Sequence, residues 1–386
     1  MIEAFKTIVG KANYSERHID KFSHRSDASR MSGIAEAVIW PTSIGQVHKI
    51  VGVAKRLNLQ LQIRGGGTSL SGGSIPRKSI VLDTSRMTRI REYGDDYIVV
   101  EAGVVLYRLN KWLKKKGKFF PVVPESHLAC TIGGMVATNA SSGKRYGRMG
   151  GWIKAVEVVF GNGMREWLRG ESLKHAVGLE GITGVITAVK LKVIDTPPTG
   201  SMDITRLSTI AALAEHAKKL ENRDDIIDIT YLDDTCSSLL GLEPFIHLMA
   251  HYSTAEGKIS SEDEVRLMLE KREQLPFILK SSGYVAVEDP YVPPENAARF
   301  IYELRKSNIP TYGHMLHSVF HPNFRDNDLK REAVKIMAKK LGGRVVGEFG
   351  YGSLRKNELA EERANRLKAL KAGYDPNGIF NRGKVL

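Results

Sequence analysis

Arg64-Gly65-Gly66-Gly67-Thr68-Ser69-Leu70-Ser71-Gly72-Gly73-Ser74 follows a short, mostly apolar run from Leu59 to Ile63 and precedes a largely β-branched one from Lys78 to Asp83. The order reads as a strand opening into a loop that feeds another strand. Five glycines let the backbone take positive φ and approach a ligand closely, and the small hydroxyls between them can donate to phosphoryl oxygens. That chemistry suits a pyrophosphate; the plainer alternative is a flexible surface turn. Two other phosphate loops do not fit. A nicotinamide-type GxGxxG loop opens a helix rather than a strand, and no Lys-Ser or Lys-Thr pair closes the run as in a Walker loop.

A length of 386 residues predicts two or three domains. The two cysteines, Cys130 and Cys236, have neither CxxC nor zinc spacing, which predicts a reducing interior and no disulfide framework. The first residues lack a basic region followed by an apolar one, and no apolar run approaches the roughly 20 residues of a membrane span. The expectation is a cytoplasmic chain, at most peripheral to the inner face of a membrane. Net charge is +14, but Lys114-Lys115-Lys116 and Lys339-Lys340 lie in helix-like segments without interleaved aromatics. That reads as a solvated face and not a nucleic-acid surface, although the excess would draw a carboxylate or an acidic lipid.

Along the chain, Ser43 can cap a helix with Val47, Ile50, Val51, Ala54 and Leu57 on one face. Strands are predicted at Gln60 to Ile63, Ser79 to Asp83 and Tyr97 to Val104. A helix from Leu106 to Lys116 ends at Gly117, and Thr131 to Asn139 suits a helix of small residues packed on a flat ring. Strands at Ala155 to Phe160 and Thr183 to Val193 close this part, and Pro197-Pro198-Thr199-Gly200 reads as a link. Beyond it, helices (Thr209 to Leu220, Ser260 to Leu279, Pro294 to Ser307, Asn327 to Leu341) alternate with strands (Ile226 to Leu232, Pro244 to His251, Tyr284 to Glu288, Pro310 to His321). This predicts an antiparallel sheet with helices on one side.

A second stretch, Pro124-Glu125-Ser126-His127-Leu128-Ala129-Cys130-Thr131-Ile132-Gly133-Gly134-Met135-Val136-Ala137-Thr138-Asn139-Ala140, runs on through Ser141-Ser142-Gly143 and Arg145-Tyr146-Gly147. Leu179-Glu180-Gly181-Ile182-Thr183-Gly184-Val185-Ile186-Thr187 follows, and then Asp375-Pro376-Asn377-Gly378-Ile379-Phe380-Asn381-Arg382-Gly383-Lys384. Together with the first loop these motifs resemble the vanillyl-alcohol-oxidase-type flavoproteins, whose FAD-binding domain is of the PCMH type. The resemblance is to the branch of D-lactate, glycolate and D-2-hydroxyglutarate dehydrogenases and covers nearly the whole chain. It implies an α+β fold of two domains: an FAD-binding domain over 1–198, a substrate-capping domain over 199–350, and a C-terminal segment, 351–386, returning to the first. It also implies that the amides of Arg64, Gly65, Gly66, Gly67, Thr68 and Ser69 hold the pyrophosphate of FAD. Thr131, Gly133, Gly134, Thr138, Asn139 and Ile186 would lie near the ring and ribityl chain, and Asn381 would reach the active site. No His or Cys lies between Arg64 and Ser74, so noncovalent FAD is expected.

In the second half, Gly313-His314-Met315-Leu316-His317-Ser318-Val319-Phe320-His321-Pro322-Asn323 is followed by Gly347-Glu348-Phe349-Gly350. Three histidines and a glutamate invite a divalent-metal reading, with scattered strand histidines as the alternative. On a regular strand His314 and His321 face opposite ways, and on a regular helix they lie about 10 Å apart, so a shared ion requires a bulge or break between them. The resemblance matches His314, His321 and Glu348 to the family's metal-binding positions (Mn or Zn) and Asn323 to a polar position lining the site. The family's glycine-rich spacer is missing, and Phe349 stands where the family has a His proposed as base. Metal assistance with His317 as the base is the preferred replacement; Tyr351 is the other candidate, and a plain strand histidine is the alternative for His317. Arg272 matches the Arg that holds the substrate C1 carboxylate, its alternative being a solvated helix arginine. Pro276 and Val287 replace a Thr and a Lys of the 2-hydroxyglutarate enzymes, which favours a small apolar tail. The resemblance thus implies a dye-linked FAD-dependent dehydrogenase that takes D-lactate to pyruvate by hydride transfer. The partners implied are a small 2-hydroxycarboxylate and an electron acceptor, a quinone or a partner protein; a homodimer is allowed. A peroxide-forming oxidase, an ether-lipid-synthase-like activity and a non-catalytic FAD-binding subunit are the alternatives.

Overall fold

In the computed structural model, which describes residues 2–326 and 328–386, Ser43 accepts a hydrogen bond from the Gln46 amide and so starts the helix Ile44–Leu57. Val47, Ile50, Val51 and Ala54 form its buried stripe, and Asn58 ends it in the left-handed region (φ 50°). That stripe packs on Ile39, Leu61 and Leu82, one from each of the parallel strands Ile34–Ile39, Leu61–Arg64 and Arg77–Asp83. Arg77–Asp83 is the middle strand, and Tyr14–Ser15 adds an antiparallel edge. A second sheet is antiparallel throughout, in the order Ile90–Tyr93, Tyr97–Glu101, Gly184–Lys192, Ile153–Phe160, Arg165–Leu168. Its core is shared with the helices Leu106–Lys114 and Ile132–Thr138. The helix Glu361–Tyr374 also belongs to this unit, which comprises the described residues up to Ala140 together with Arg148–Thr196 and Phe349–Leu386.

The other unit comprises Ser141–Gly147 and Pro197–Glu348. Its six strands are all antiparallel, in the order Ser201–Leu207, Ile246–Tyr252, Ile226–Leu232, Thr311–His314, Val319–Phe324, Ala286–Val287. Strand alternation divides the side chains cleanly. Ile229, Tyr231, Leu248, Ala250, Phe320 and Phe324 pack against helices Ile210–Glu221, Pro294–Lys306 and Lys330–Lys340. Leu232, Met249 and Tyr312 point the other way, against Cys236, Val265, Leu275 and Leu279 of helices Asp234–Leu239 and Glu262–Ser281. Helices therefore cover both faces, not one as the pattern suggested. Periodicity shows that a helix has an apolar stripe; it does not say which face of a sheet the stripe meets.

The expected strand from Pro310 to His321 is a hairpin. Thr311–His314 ends in a 3-10 turn, Met315–His317, Ser318 takes a left-handed conformation (φ 50°), and Val319–Phe324 returns. Tyr312 pairs with His321 and His314 with Val319. Asn327, the expected start of the following helix, lies outside the described residues; the helix runs Lys330–Lys340.

Candidate functional site

Each unit carries a candidate site. In the first, the strand Leu61–Arg64 opens into the glycine loop, and its glycines answer a packing demand as much as a conformational one. A β-carbon on Gly65 would lie 2.3 Å from Thr131 Oγ1, and one on Gly66 would lie 2.1 Å from the Ala129 carbonyl. The two loops touch through backbone at Gly66 and through the Thr131 side chain at Gly65. The amides of Gly65, Gly66, Gly67, Thr68 and Ser69 donate to no described residue, which leaves a consecutive row of N–H groups of the kind that cradles an anion. Ser69 Oγ instead accepts from the amides of Ser71 and Gly73, 3.2 and 3.0 Å away, and holds the second half of the loop. A pyrophosphate fits this row.

The helix Ile132–Thr138 begins at Thr131, whose Oγ1 accepts from the Gly134 amide, and ends at left-handed Asn139, whose Oδ1 accepts from the Gly150 amide. Gly133 lies against Ala102, where a β-carbon would meet Cβ at 2.7 Å. Thr138 Oγ1 donates to the Gly134 carbonyl, so this hydroxyl serves the helix. Ile186 is a core residue of the five-stranded sheet. Asn381 is buried; its Oδ1 accepts from Ile63 N and Gln62 Nε2, and its Nδ2 donates to the Glu180 carbonyl. Those bonds make it a clip between the C-terminal segment and the strand that feeds the glycine loop. Arg64 Nη1 donates to the Ser26 carbonyl, and burial lowers its pKa. Lys384, also buried, donates to the Gly72 carbonyl and Ser353 Oγ, and burial, with Arg77 adding to it, pushes its ammonium down to about 8.

In the second unit the hairpin decides the site. Because Tyr312 and His321 are paired, His321 shares a face with both Tyr312 and His314, and the two imidazoles meet edge to face with centroids 5.3 Å apart. The break demanded by a shared ion is thus the turn at Met315–Ser318. Glu348 arrives from another segment, held by Asp289, whose Oδ2 accepts from the Glu348 amide at 2.6 Å and whose carbonyl accepts from Gly347 N at 2.7 Å. Donor atoms of His314, His321 and Glu348 all lie within 4.8 Å of one another, with His321 Nε2 and Glu348 Oε2 3.9 Å apart. Two donors opposite each other on one ion are separated by about 4.2 Å, twice a metal–donor bond, so any pair as wide as 4.8 Å closes by a few tenths of an ångström to share it. His314 Nδ1 is buried and has no hydrogen-bond partner among the described residues. Burial pushes the His314 pKa down against the opposing pull of Glu348 and Asp228, which favours the neutral imidazole that a metal requires. This trio fits a divalent cation.

His317 Nε2 donates to the Lys144 carbonyl at 2.5 Å, which leaves Nδ1 as the acceptor of that ring. Asn323 Nδ2 donates to the His321 carbonyl. Gly143 (φ 67°) lies so close to His314 that a β-carbon would sit 2.6 Å from its ring. Arg272 is no solvated arginine: its Nη1 donates to Asp228 and to Thr230 Oγ1, and its side chain is 10% exposed. Burial pushes Asp228 up, but Arg272, His314, Lys144 and His251 outweigh it and hold the carboxyl below its ordinary value. Phe349 belongs to the other unit, where its carbonyl accepts from Ser71 Oγ and its ring lies under Arg355.

Sequence reasoning missed Asp228, Lys144 and Asp289. The signal for Asp228 was a lone carboxylate in the otherwise uncharged strand Ile226–Leu232, every residue of which is buried. Lys144 stood unremarked inside the Ser141–Gly147 segment, and Asp289 follows Glu288 in a run with no motif of its own.

A model described as FAD binding domain matches residues 35–169, and one described as FAD linked oxidases, C-terminal domain, matches residues 246–385. The chain is similar to glycolate oxidase subunit GlcD of Bacillus subtilis (24% identity, covering 98% of this chain and 95% of that one). It is also similar to D-lactate dehydrogenase of Archaeoglobus fulgidus (27%, 90% and 91%) and to mitochondrial D-2-hydroxyglutarate dehydrogenase of Arabidopsis thaliana (24%, 100% and 81%). Among solved structures it shares the fold of p-cresol methylhydroxylase (TM-score 0.78, 14% identity, covering 100% and 96%) and of alkyldihydroxyacetonephosphate synthase (TM-score 0.75, 17%, 98% and 84%).

Proposed function

We propose that this chain, a member of the FAD-linked oxidases built from their FAD-binding and C-terminal domains, is a dehydrogenase of a small 2-hydroxy acid, with D-lactate to pyruvate as the first choice. The observation that carries the reading is the convergence of His314, His321 and Glu348 on the sheet face that also holds Arg272, in a group of charges that includes Lys144. A 2-hydroxy acid presents a carboxylate beside a hydroxyl, so it needs a cation for the first and a polarising group for the second.

FAD held by the glycine-loop amides would supply a hydride acceptor, and a Mn- or Zn-type ion held by His314, His321 and Glu348 would supply Lewis acidity toward the substrate oxygens. The amides of Gly65 to Ser69 bind the pyrophosphate, and FAD is held without a covalent bond. The cationic side chains of the second unit orient the carboxylate, Asn323 lines the site, and His317 takes the hydroxyl proton on Nδ1. A quinone or a partner protein would serve as the electron acceptor. Pro276 and Val287 offer no polar contact to a distal carboxylate, which favours lactate or glycolate over 2-hydroxyglutarate.

The test is anaerobic bleaching of flavin absorbance by D-lactate, L-lactate, glycolate and D-2-hydroxyglutarate, before and after chelation. The expected result is bleaching by D-lactate that chelation abolishes and a divalent ion restores. Bleaching that survives chelation removes the metal from the reading. No bleaching by any of the four acids in metal-loaded protein overturns it.

A further inference from the structure

We infer that Lys144 is a substrate-binding residue whose ammonium pairs with the carboxylate of the 2-hydroxy acid, and that Arg272 serves to hold Asp228. This inference rests on the proposed 2-hydroxy-acid reading and names the group that recognises the acid.

The Ser141–Gly147 strip is fixed to the second unit by its main chain. Arg145 N donates to the Ile227 carbonyl, Lys144 N to Ser142 Oγ, and the Lys144 carbonyl accepts from both His317 Nε2 and Gly147 N. None of these bonds uses the Lys144 side chain. That side chain is half-buried, it interacts electrostatically with Arg272, Asp228 and Glu273, and yet its ammonium makes no hydrogen bond and no ion pair among the described residues. A cation removed from water without a partner is unfavourable, and an incoming anion relieves that cost.

Arg272 is differently placed. Its Nη1 is spent on Asp228 and Thr230, and the buried carboxylate already answers its charge. Of the two cations, Lys144 is the one with no carboxylate in ion-pair contact among the described residues, although Asp228 and Glu273 act on it from farther away. Because it is a compact point charge on a flexible stem, it recognises a single carboxylate without demanding the planar geometry a guanidinium imposes. The substrate class that follows is a monocarboxylate.

The experiment compares wild type, Lys144→Met and Lys144→Arg, all FAD- and metal-loaded, in anaerobic flavin reduction by D-lactate and by lactamide, which lacks the carboxylate. Oxalate binding is measured by calorimetry on the same proteins, since it needs no turnover. Loss of a charge-assisted contact predicts a half-saturating D-lactate concentration raised roughly 10- to 100-fold in Lys144→Met. FAD and metal content should be unchanged, lactamide unaffected, and most of the loss recovered in Lys144→Arg. Oxalate affinity should fall at least tenfold.

A change under about threefold with D-lactate, an equal penalty with lactamide, or unaltered oxalate affinity overturns the role of Lys144. So does wild-type protein that fails to bind oxalate. Wild type that binds oxalate in a Lys144-dependent manner, while no 2-hydroxy acid reduces its flavin, sinks the dehydrogenase reading and leaves the carboxylate site standing.

Discussion

The glycine loop of the first unit and the histidine cluster of the second are made from opposite materials. The loop offers main-chain amides in one run of sequence, and its glycines serve to keep side chains out, because Ala129 and Thr131 occupy the space where β-carbons would go. The cluster offers side chains gathered from two strands of a hairpin, a helix, a strip at Ser141–Gly147 and a turn held by Asp289. A main-chain site tolerates almost no added atom but has no single functional group to delete. A side-chain site is the reverse, since each group can be removed singly and the neighbours left behind decide the cost.

The largest expected effect tests the first half of this contrast. Gly66→Val should overfill the contact with Ala129 by enough to lower bound FAD about tenfold or more, read as the flavin-to-protein absorbance ratio. His321→Ala should keep that ratio and slow flavin reduction by more than about 100-fold. Loss of FAD in the histidine variant would erase the distinction.

The next effect concerns what removal leaves behind. Arg272→Met strands Asp228 in a buried position and should cost about 3–5 kcal/mol in urea unfolding. Adding Asp228→Asn should return most of it. Equal losses in the single and double variants would show that the guanidinium matters for packing alone.

The smallest effect is a pH slope in the loop region. Lys384 titrates near 8 in the folded chain against 10.5 unfolded, so between those values the unfolded state binds the extra proton and stability gains with rising pH. The stability of wild type relative to Lys384→Met should therefore increase from pH 8 to pH 10, by at most about 1.4 kcal/mol per pH unit. A pH-independent difference would mean that the bonds to Gly72 and Ser353 already offset the burial.

These contrasts also explain what could be read in advance. The loop was legible because a main-chain site is contiguous and glycine spacing is its signature. Ser43, Thr131 and Gly117 punctuate helices by local rules, and those local rules hold in the structure, where Gly117 has φ 67°. The hairpin was not legible: Met315 to Phe320 contains no glycine, and the turn depends on Ser318 taking a left-handed conformation that sequence rules assign to Gly or Asn. Coverage of both sheet faces was hidden because helix stripes carry no address. Asp228 and Lys144 were hidden for the same reason that they matter, since charge inside a buried strand or a short strip acquires meaning only from partners that are remote along the chain.

The strip Ser141–Gly147 belongs to the second unit while its flanks, Ala140 and Arg148, belong to the first. Anyone exchanging the second unit between relatives, as a chimera, must move two pieces of gene. A transplant of 197–348 alone would import His317 without the Lys144 carbonyl that orients its ring, and His314 without the glycine that makes room beside it. Inherited substrate preference in such a hybrid would follow the short piece as well as the long one.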